Sequence, residues 1–233
     1  MRVHFVVHEA FEAPGAYETW ARNRGHDVSH TRVHAGDPLP QDVAGIDLLI
    51  VMGGPQSPST TTEECPHFDA AAEQELIARC IAAGRAVVGV CLGSQLVGQA
   101  LGAEHAPSPE REIGRFPIEL TDAGRANPRF AHFGDRLQVG HWHNLTPDAV
   151  IIAASEGCPR QIVEYSALVY GFQCHMEFTS KEVDLLLEAE QGLPELASHR
   201  FVQQADDLRA HDWTEANDKL FTFLDHLAAG HAR

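Results

Sequence analysis

The stretch Arg85-Ala86-Val87-Val88-Gly89-Val90-Cys91-Leu92-Gly93-Ser94-Gln95 holds the key to this fold. A short apolar run, Ala86 to Val90, reads as a buried strand and stops at a cysteine. A helical pattern begins at Gly93 and runs to Leu101. A strand that turns directly into a helix throws its corner side chain outward, and small neighbours permit the close approach. Gly89 and Gly93 stand two residues to either side of Cys91. By this spacing alone Cys91 is either a small hydrophobe closing a core strand or a nucleophile on a tight turn. At a helix N-terminus its thiolate would gain from unpaired N–H groups and the helix dipole.

Working outward, the same alternation of strand and helix extends to the N-terminus. Val3–Val7 reads as a buried strand, Pro14–Arg24 as a helix stopped by Gly25, and Val28–Val33 as a more polar strand. Asp47–Met52 is almost wholly apolar and is cut by Gly53-Gly54-Pro55; a helix from Phe68 to Ala83 follows, stopped by Gly84. Strands apolar on both faces, each followed by a helix, predict βαβ units and an open, mostly parallel sheet with helices on both faces. Downstream, Phe116–Leu120, Leu137–Val139, Ala149–Ala154, Gln161–Tyr165 and Ala167–Phe172 are shorter strand-like runs. They are expected to add antiparallel strands to the parallel core. Lys181–Gln191 and Thr214–Ala229 read as helices. Without repeats or a Pro/Gly/Ser-rich linker, residues 1–233 are expected to form one α/β domain with a C-terminal helical extension.

Composition narrows the partners. Asp and Glu number 33 against 17 Lys and Arg, a formal charge of −16, which repels nucleic-acid backbones and anionic membranes. No apolar run approaches the roughly 18 residues that span a bilayer, and the N-terminus lacks the parts of a secretory signal. A cytoplasmic location is expected. Five cysteines without paired spacing argue against a disulfide framework or a structural zinc site.

In an open parallel sheet, chemistry gathers at the carboxyl ends of the strands. Two such ends are Gly53-Gly54-Pro55, as oxyanion turn or ordinary turn, and the Cys91 corner. A third piece is His175-Met176-Glu177. In an extended segment residues i and i+2 face one side, so His175 can serve a nucleophile while Glu177 fixes its tautomer. Read alone, the pair is equally an incidental polar couple at a strand end.

Together, in the order Gly53-Gly54-Pro55, Val90-Cys91-Leu92-Gly93-Ser94-Gln95, His175-Met176-Glu177, these motifs resemble the class I (triad) glutamine amidotransferases. The likeness is strongest to free-standing proteins similar to the glutaminase domain of GMP synthase, with a flavodoxin-like three-layer fold. The resemblance implies a cysteine that attacks the side-chain amide of glutamine, giving a γ-glutamyl thioester and ammonia, with no cofactor. It makes Cys91 the nucleophile, His175 the base and acid, and Glu177 its orienting partner. Gly54 and Leu92 become the oxyanion-hole donors, and Gln95, His143, Asn144 and Leu145 substrate contacts. His143-Asn144-Leu145 departs from the His-Gly-Asp often found there in GMP-synthase-like relatives.

His141 and His143 can face one way on a strand and invite a metal, but no third ligand is apparent nearby, so no metal is expected. Cys174 is expected to point away from His175 and to pack. Cys65, Cys80 and Cys158 stand in no catalytic-looking motif, and Tyr170, Phe172 and Phe178 read as core or pocket wall. The stretch 106–116 reads as irregular, facing either solvent, a partner or a bulky substrate. Three functions are therefore in play: a glutaminase-type hydrolase feeding a separate synthase, a γ-glutamyl peptidase, and a non-catalytic binding protein that retains the pocket.

Overall fold

A computed structural model describes residues 1–103, 105–147, 150–190 and 192–231; the side chains of 105–107 and 144–147 lie outside that description. The first half follows the alternation expected of it: β1 (Arg2–Val7), α1 (Ala16–Asn23), β2 (Asp27–Arg32), β3 (Leu48–Val51), α2 (Ala70–Ala82), β4 (Ala86–Val90) and α3 (Leu92–Ala100). β1 pairs in parallel with β2 and β3, and β3 with β4. β3 and β4 are buried along their whole length. Removing Leu48, Leu49 and Ile50 from water stabilises the sheet by roughly 1.5–3 kcal/mol each.

α2 begins two residues later than Phe68 because Asp69 caps it, its carboxylate accepting the Ala72 N–H at 3.0 Å. Phe68, left outside the helix, is buried with Leu76 and Ile77 of α2 and Leu92 and Leu96 of α3 in the core on one sheet face. Tyr17 and Trp20 of α1 and Leu220, Phe223 and Leu224 of α7 (Thr214–His231) fill the core on the other. The sheet thus carries helices on both faces.

The second half corrects the expectation of purely antiparallel additions. β9 (Val169–Phe172) lies parallel to β4 and extends the parallel core to the order β9-β4-β3-β1-β2. Only on its other side does it pair antiparallel, with β8 (Ile162–Ser166). β7 (Val150–Ala154) joins β8, and β5 (His105–Leu120) joins β7, both antiparallel. The stretch expected to be irregular is therefore part of a long strand. β5 runs beside β6 (Arg136–Pro147) over most of its length, with a register shift between Pro107 and Glu112. Its prolines and charges hide its strand character because ladder pairing, not apolar alternation, holds it.

A short β10 (Phe201–Val202) lies parallel to β5 on the outer edge. The remaining helices are α4 (Asp122–Ala126), α5 (Ser180–Ala189) and α6 (Ala205–Arg209). Ile113 of β5, Leu186 of α5, Leu208 of α6 and Trp213 form a third, smaller core around Phe178. Among the described residues no helix is long and apolar enough to cross a membrane.

Candidate active site

The corner after β4 is strained in the way its spacing suggests. Cys91 has φ 50° and ψ −109°, and it is the one non-glycine residue with positive φ among those described. Its surroundings hold it in this conformation. Its N–H donates to the Phe172 carbonyl at 2.7 Å. A Cβ on Gly93 would sit 2.0 Å from the Val51 carbonyl oxygen, so only glycine lets α3 approach β3 this closely. Leu92 opens α3, and its N–H, like those of the first turn generally, has no acceptor within the helix.

His175 and Glu177 lie beyond β9 in a segment that is not a regular strand. The extension expected there survives as a single bridge, in which His175 and Gly140 exchange two backbone hydrogen bonds of 2.8 Å. Other bonds clamp the segment from outside: the Ala16 N–H donates to the Glu177 carbonyl, and Asn217 Nδ2 of α7 donates to the Met176 and Phe178 carbonyls. Phe178 does more than line a wall, since its ring stacks on that of His175 at 4.5 Å and 13°.

The two side chains meet as their spacing predicts, His175 Nδ1 standing 2.6 Å from Glu177 Oε1, with both residues buried. His175 Nε2 is buried without a hydrogen-bond partner. Burial alone would lower the pKa of His175, but the adjacent charge of Glu177 and the Cys91 thiol prevail and raise it well above the ordinary value. The shift favours the protonated ring, which can hold the proton a neighbouring thiol gives up.

A cavity of about 240 Å³ opens in front of this group. Gly54, Cys91, Gln95 and His143 line it, so the structure gathers residues from three separate motifs around one space. At that volume it suits a ligand smaller than the drug-sized molecules that fill larger clefts. Gln95 Nε2 donates to Gln173 Oε1 at 3.1 Å, leaving Gln95 Oε1 buried and unpartnered. Burial, helped by neighbouring His141, pushes the pKa of His143 down to about 3 and keeps that ring neutral. Asn144 and Leu145 continue β6, but their side chains lie outside the described residues.

Several residues at the site carry no sequence signal. Glu12, Arg111 and Trp142 also line the cavity, Arg111 arriving from the strand that reads as a loop. Burial raises the pKa of Glu12, with the His175 charge opposing and that of Glu177 adding to the shift. Beneath the Gly53-Gly54 turn lies a second histidine–carboxylate pair. His8 Nε2 is 2.8 Å from Glu73 Oε2, and His8 Nδ1 is 2.8 Å from the Gly53 carbonyl oxygen. Both nitrogens face acceptors, so both carry protons. Burial opposes that charge, but Glu73 outweighs it and the pKa of His8 is raised. In a trans peptide C=O and N–H point opposite ways, so gripping the Gly53 carbonyl also aims the Gly54 N–H.

Other expectations are corrected or upheld. His141 and His143 do have a third potential ligand: register places Glu112 of β5 opposite His143 of β6, within reach of both rings. Cys65 is not isolated, lying 3.4 Å from His67 Nε2, which itself lies 2.9 Å from Glu9 Oε1. Cys174 is fully buried, and burial pushes its thiol pKa well up, as suits a packing role. Tyr170 and Phe172 are core.

A sheet with a catalytic-looking corner defines an architecture but not yet a function. Residues 19–191 match the family described as Glutamine amidotransferase class-I, and the chain belongs to that family. Its sequence is 53% identical to the glutamine amidotransferase-like protein YfeJ of Salmonella typhimurium, over the full length of both chains. A glutamine-hydrolyzing GMP synthase of Edwardsiella ictaluri is 32% identical over 180 residues, 71% of this chain but 30% of that longer protein. Among solved structures, that of SMU.1228c matches with a TM-score of 0.96 at 46% identity, covering 98% of this chain and all of that one.

Proposed function

We propose that the chain is a single amidotransferase domain with a C-terminal helical extension, hydrolysing the side-chain amide of glutamine through a Cys91–His175–Glu177 triad. Cys91 Sγ, its proton already passed to His175 Nε2, adds to the amide carbon. The developing oxyanion accepts the N–H groups of Gly54 and Leu92. The C–N bond then breaks, and His175 returns the proton to the departing ammonia. Water, deprotonated by the same ring, cleaves the γ-glutamyl thioester to glutamate. Glu177 keeps the Nδ1 proton in place throughout.

Gln95, whose Oε1 lacks a partner, accepts from the substrate ammonium. The backbone at His143, Asn144 and Leu145 grips the amino-acid end, and Arg111 on the cavity wall pairs with its carboxylate. Likeness to the glutaminase portion of GMP synthase supports delivery of the ammonia to a separate synthase. The single observation that carries this reading is convergence: a strained thiol on the wall of a small cavity interacts with the histidine of a 2.6 Å histidine–glutamate pair.

The test incubates the pure protein with glutamine and with γ-glutamyl dipeptides, using Cys91→Ala as control. Ammonia release from glutamine that disappears in the variant is the expected result. Faster cleavage of dipeptides than of glutamine would move the assignment to a γ-glutamyl peptidase. No turnover, together with no labelling of Cys91 by a glutamine-like electrophile, would leave a binding protein. Labelling without turnover would point to a synthase needed for activation.

A further inference from the structure

We infer that this chain binds one divalent transition-metal ion of the Zn²⁺ class on Glu112, His141 and His143, with the side-chain amide of Gln161 closing the site. This site is separate from the proposed hydrolytic chemistry, which requires no metal.

The case begins with geometry. Glu112 Oε2 lies 3.3 Å from His141 Nδ1 and 3.4 Å from His143 Nε2, and the two ring nitrogens are 3.4 Å apart. Four ligands around Zn²⁺, each at about 2.0–2.1 Å, define a tetrahedron whose edges are about 3.3–3.4 Å. The three side chains already form one face of such a tetrahedron. The Gln161 amide end stands over that face, its terminal atom 2.6, 3.0 and 3.2 Å from the three ligand atoms.

Hydrogen bonding gives a second, independent sign. With nitrogen in that position, two N–H protons confront Glu112 Oε2, His141 Nδ1, His143 Nε2 and Ser155 Oγ, the last at 2.9 Å. Meanwhile Gln161 Oε1 is buried with no partner at all. Turning the amide over relieves the crowding and gives the oxygen a partner if a cation lies between the groups, because the oxygen then becomes the fourth ligand. Glu112, His141 and Gln161 are fully buried and His143 nearly so, where a cluster of lone pairs without a cation is costly.

A metal needs a route in, and one exists. A second cavity of about 490 Å³ reaches Glu112 and Ser155 from the side of β10; on its wall Glu119 pairs with Arg136, and Glu156 with Arg200. On the opposite side His143 lines the catalytic cavity, so the site sits between the two spaces. Coordination through Nε2 leaves Nδ1 as the protonated nitrogen, and Nδ1 is at present buried and unpartnered. The ion would thus fix the tautomer of a residue that faces the substrate.

The experiment strips the full-length protein with a chelator, reloads it with Co²⁺ or Zn²⁺, and measures metal content, the visible spectrum and thermal unfolding. The expected result is about one ion per chain, tetrahedral Co²⁺ bands without thiolate-to-metal charge transfer, and a higher unfolding temperature on loading. Glu112→Gln and His141→Asn should each lose the ion, while Cys65→Ala should keep it. Thiolate charge transfer in the unmodified protein would overturn the proposal in favour of Cys91 or of the Glu9, Cys65 and His67 group. That readout needs no variant to fold. Failure of stripped wild-type protein to take up either metal would overturn it outright.

Discussion

Two buried histidine–carboxylate pairs support the candidate site, one beneath the Gly53-Gly54 turn and one beside Cys91. His8 with Glu73 and His175 with Glu177 have similar separations, 2.8 and 2.6 Å, and in both the carboxylate raises the histidine pKa against the effect of burial. What separates them is the second ring nitrogen. In His8 it is spent on the Gly53 carbonyl, whereas in His175 it is buried without a partner. A closed pair holds backbone; an open one keeps a proton position available for chemistry.

The largest expected effect falls on the open pair. Glu177→Gln should lower kcat by about 10²–10⁴-fold. The carboxylate raises the His175 pKa, so without it the imidazolium is lost at lower pH. The alkaline limb of kcat/KM against pH should therefore move down. An unmoved limb would mean that the two pairs do not differ as drawn.

The closed pair should answer first in stability. His8→Leu leaves Glu73 buried and unpaired, at a cost of about 3–5 kcal/mol. Its raised pKa means that the stabilisation is complete below the ordinary histidine value of about 6.5 and is lost as pH rises through the folded value. Urea midpoints across that range should fall with pH in the wild type and stay flatter in His8→Leu. Turnover per folded molecule should also drop through the loosened Gly54 peptide. Loss of activity with unchanged stability would make His8 a second reacting group instead.

His4 sharpens the contrast with the opposite sign. It sits between the Ser29 and Thr31 hydroxyls without a carboxylate, and burial, aided by His30, lowers its pKa to about 4. The unfolded chain takes up a proton near pH 6.5 and the folded one does not. Stability should therefore decline as pH falls from about 6.5 to about 4, by at most on the order of 3 kcal/mol. His4→Gln should flatten that decline in urea titrations.

The two halves of the chain differ in how much their sequence reveals. β1, β3 and β4 are legible because they are buried on both faces and end at glycine or a break in hydropathy. The Cys91 corner and the His175–Glu177 pair are legible because their chemistry depends on residues one to three apart. β5 is not, because Pro107, Pro109, Arg111 and Glu112 break any apolar alternation and only pairing with β6 makes them a strand. His8 and Glu73, Glu112 and His143, and Arg111 at the cavity likewise meet through the sheet and its helices. No local spacing encodes such encounters, and so the third ligand beside the two histidines is invisible before folding.

One corner of the molecule has a twin. Gly15, which leads into α1, has φ 51° and ψ −125°, nearly the backbone of Cys91. At Gly15 a Cβ would lie 2.4 Å from the Glu177 carbonyl oxygen, so glycine is required; where a thiol is needed the chain keeps a cysteine in a conformation costing about 1–3 kcal/mol. Cys91→Gly should then be catalytically dead yet melt later than the active protein, by up to that amount less the glycine's own flexibility when unfolded. Reactivity and durability would trade places at a single atom pair, and a selection for thermal resistance alone would erase the proposed nucleophile.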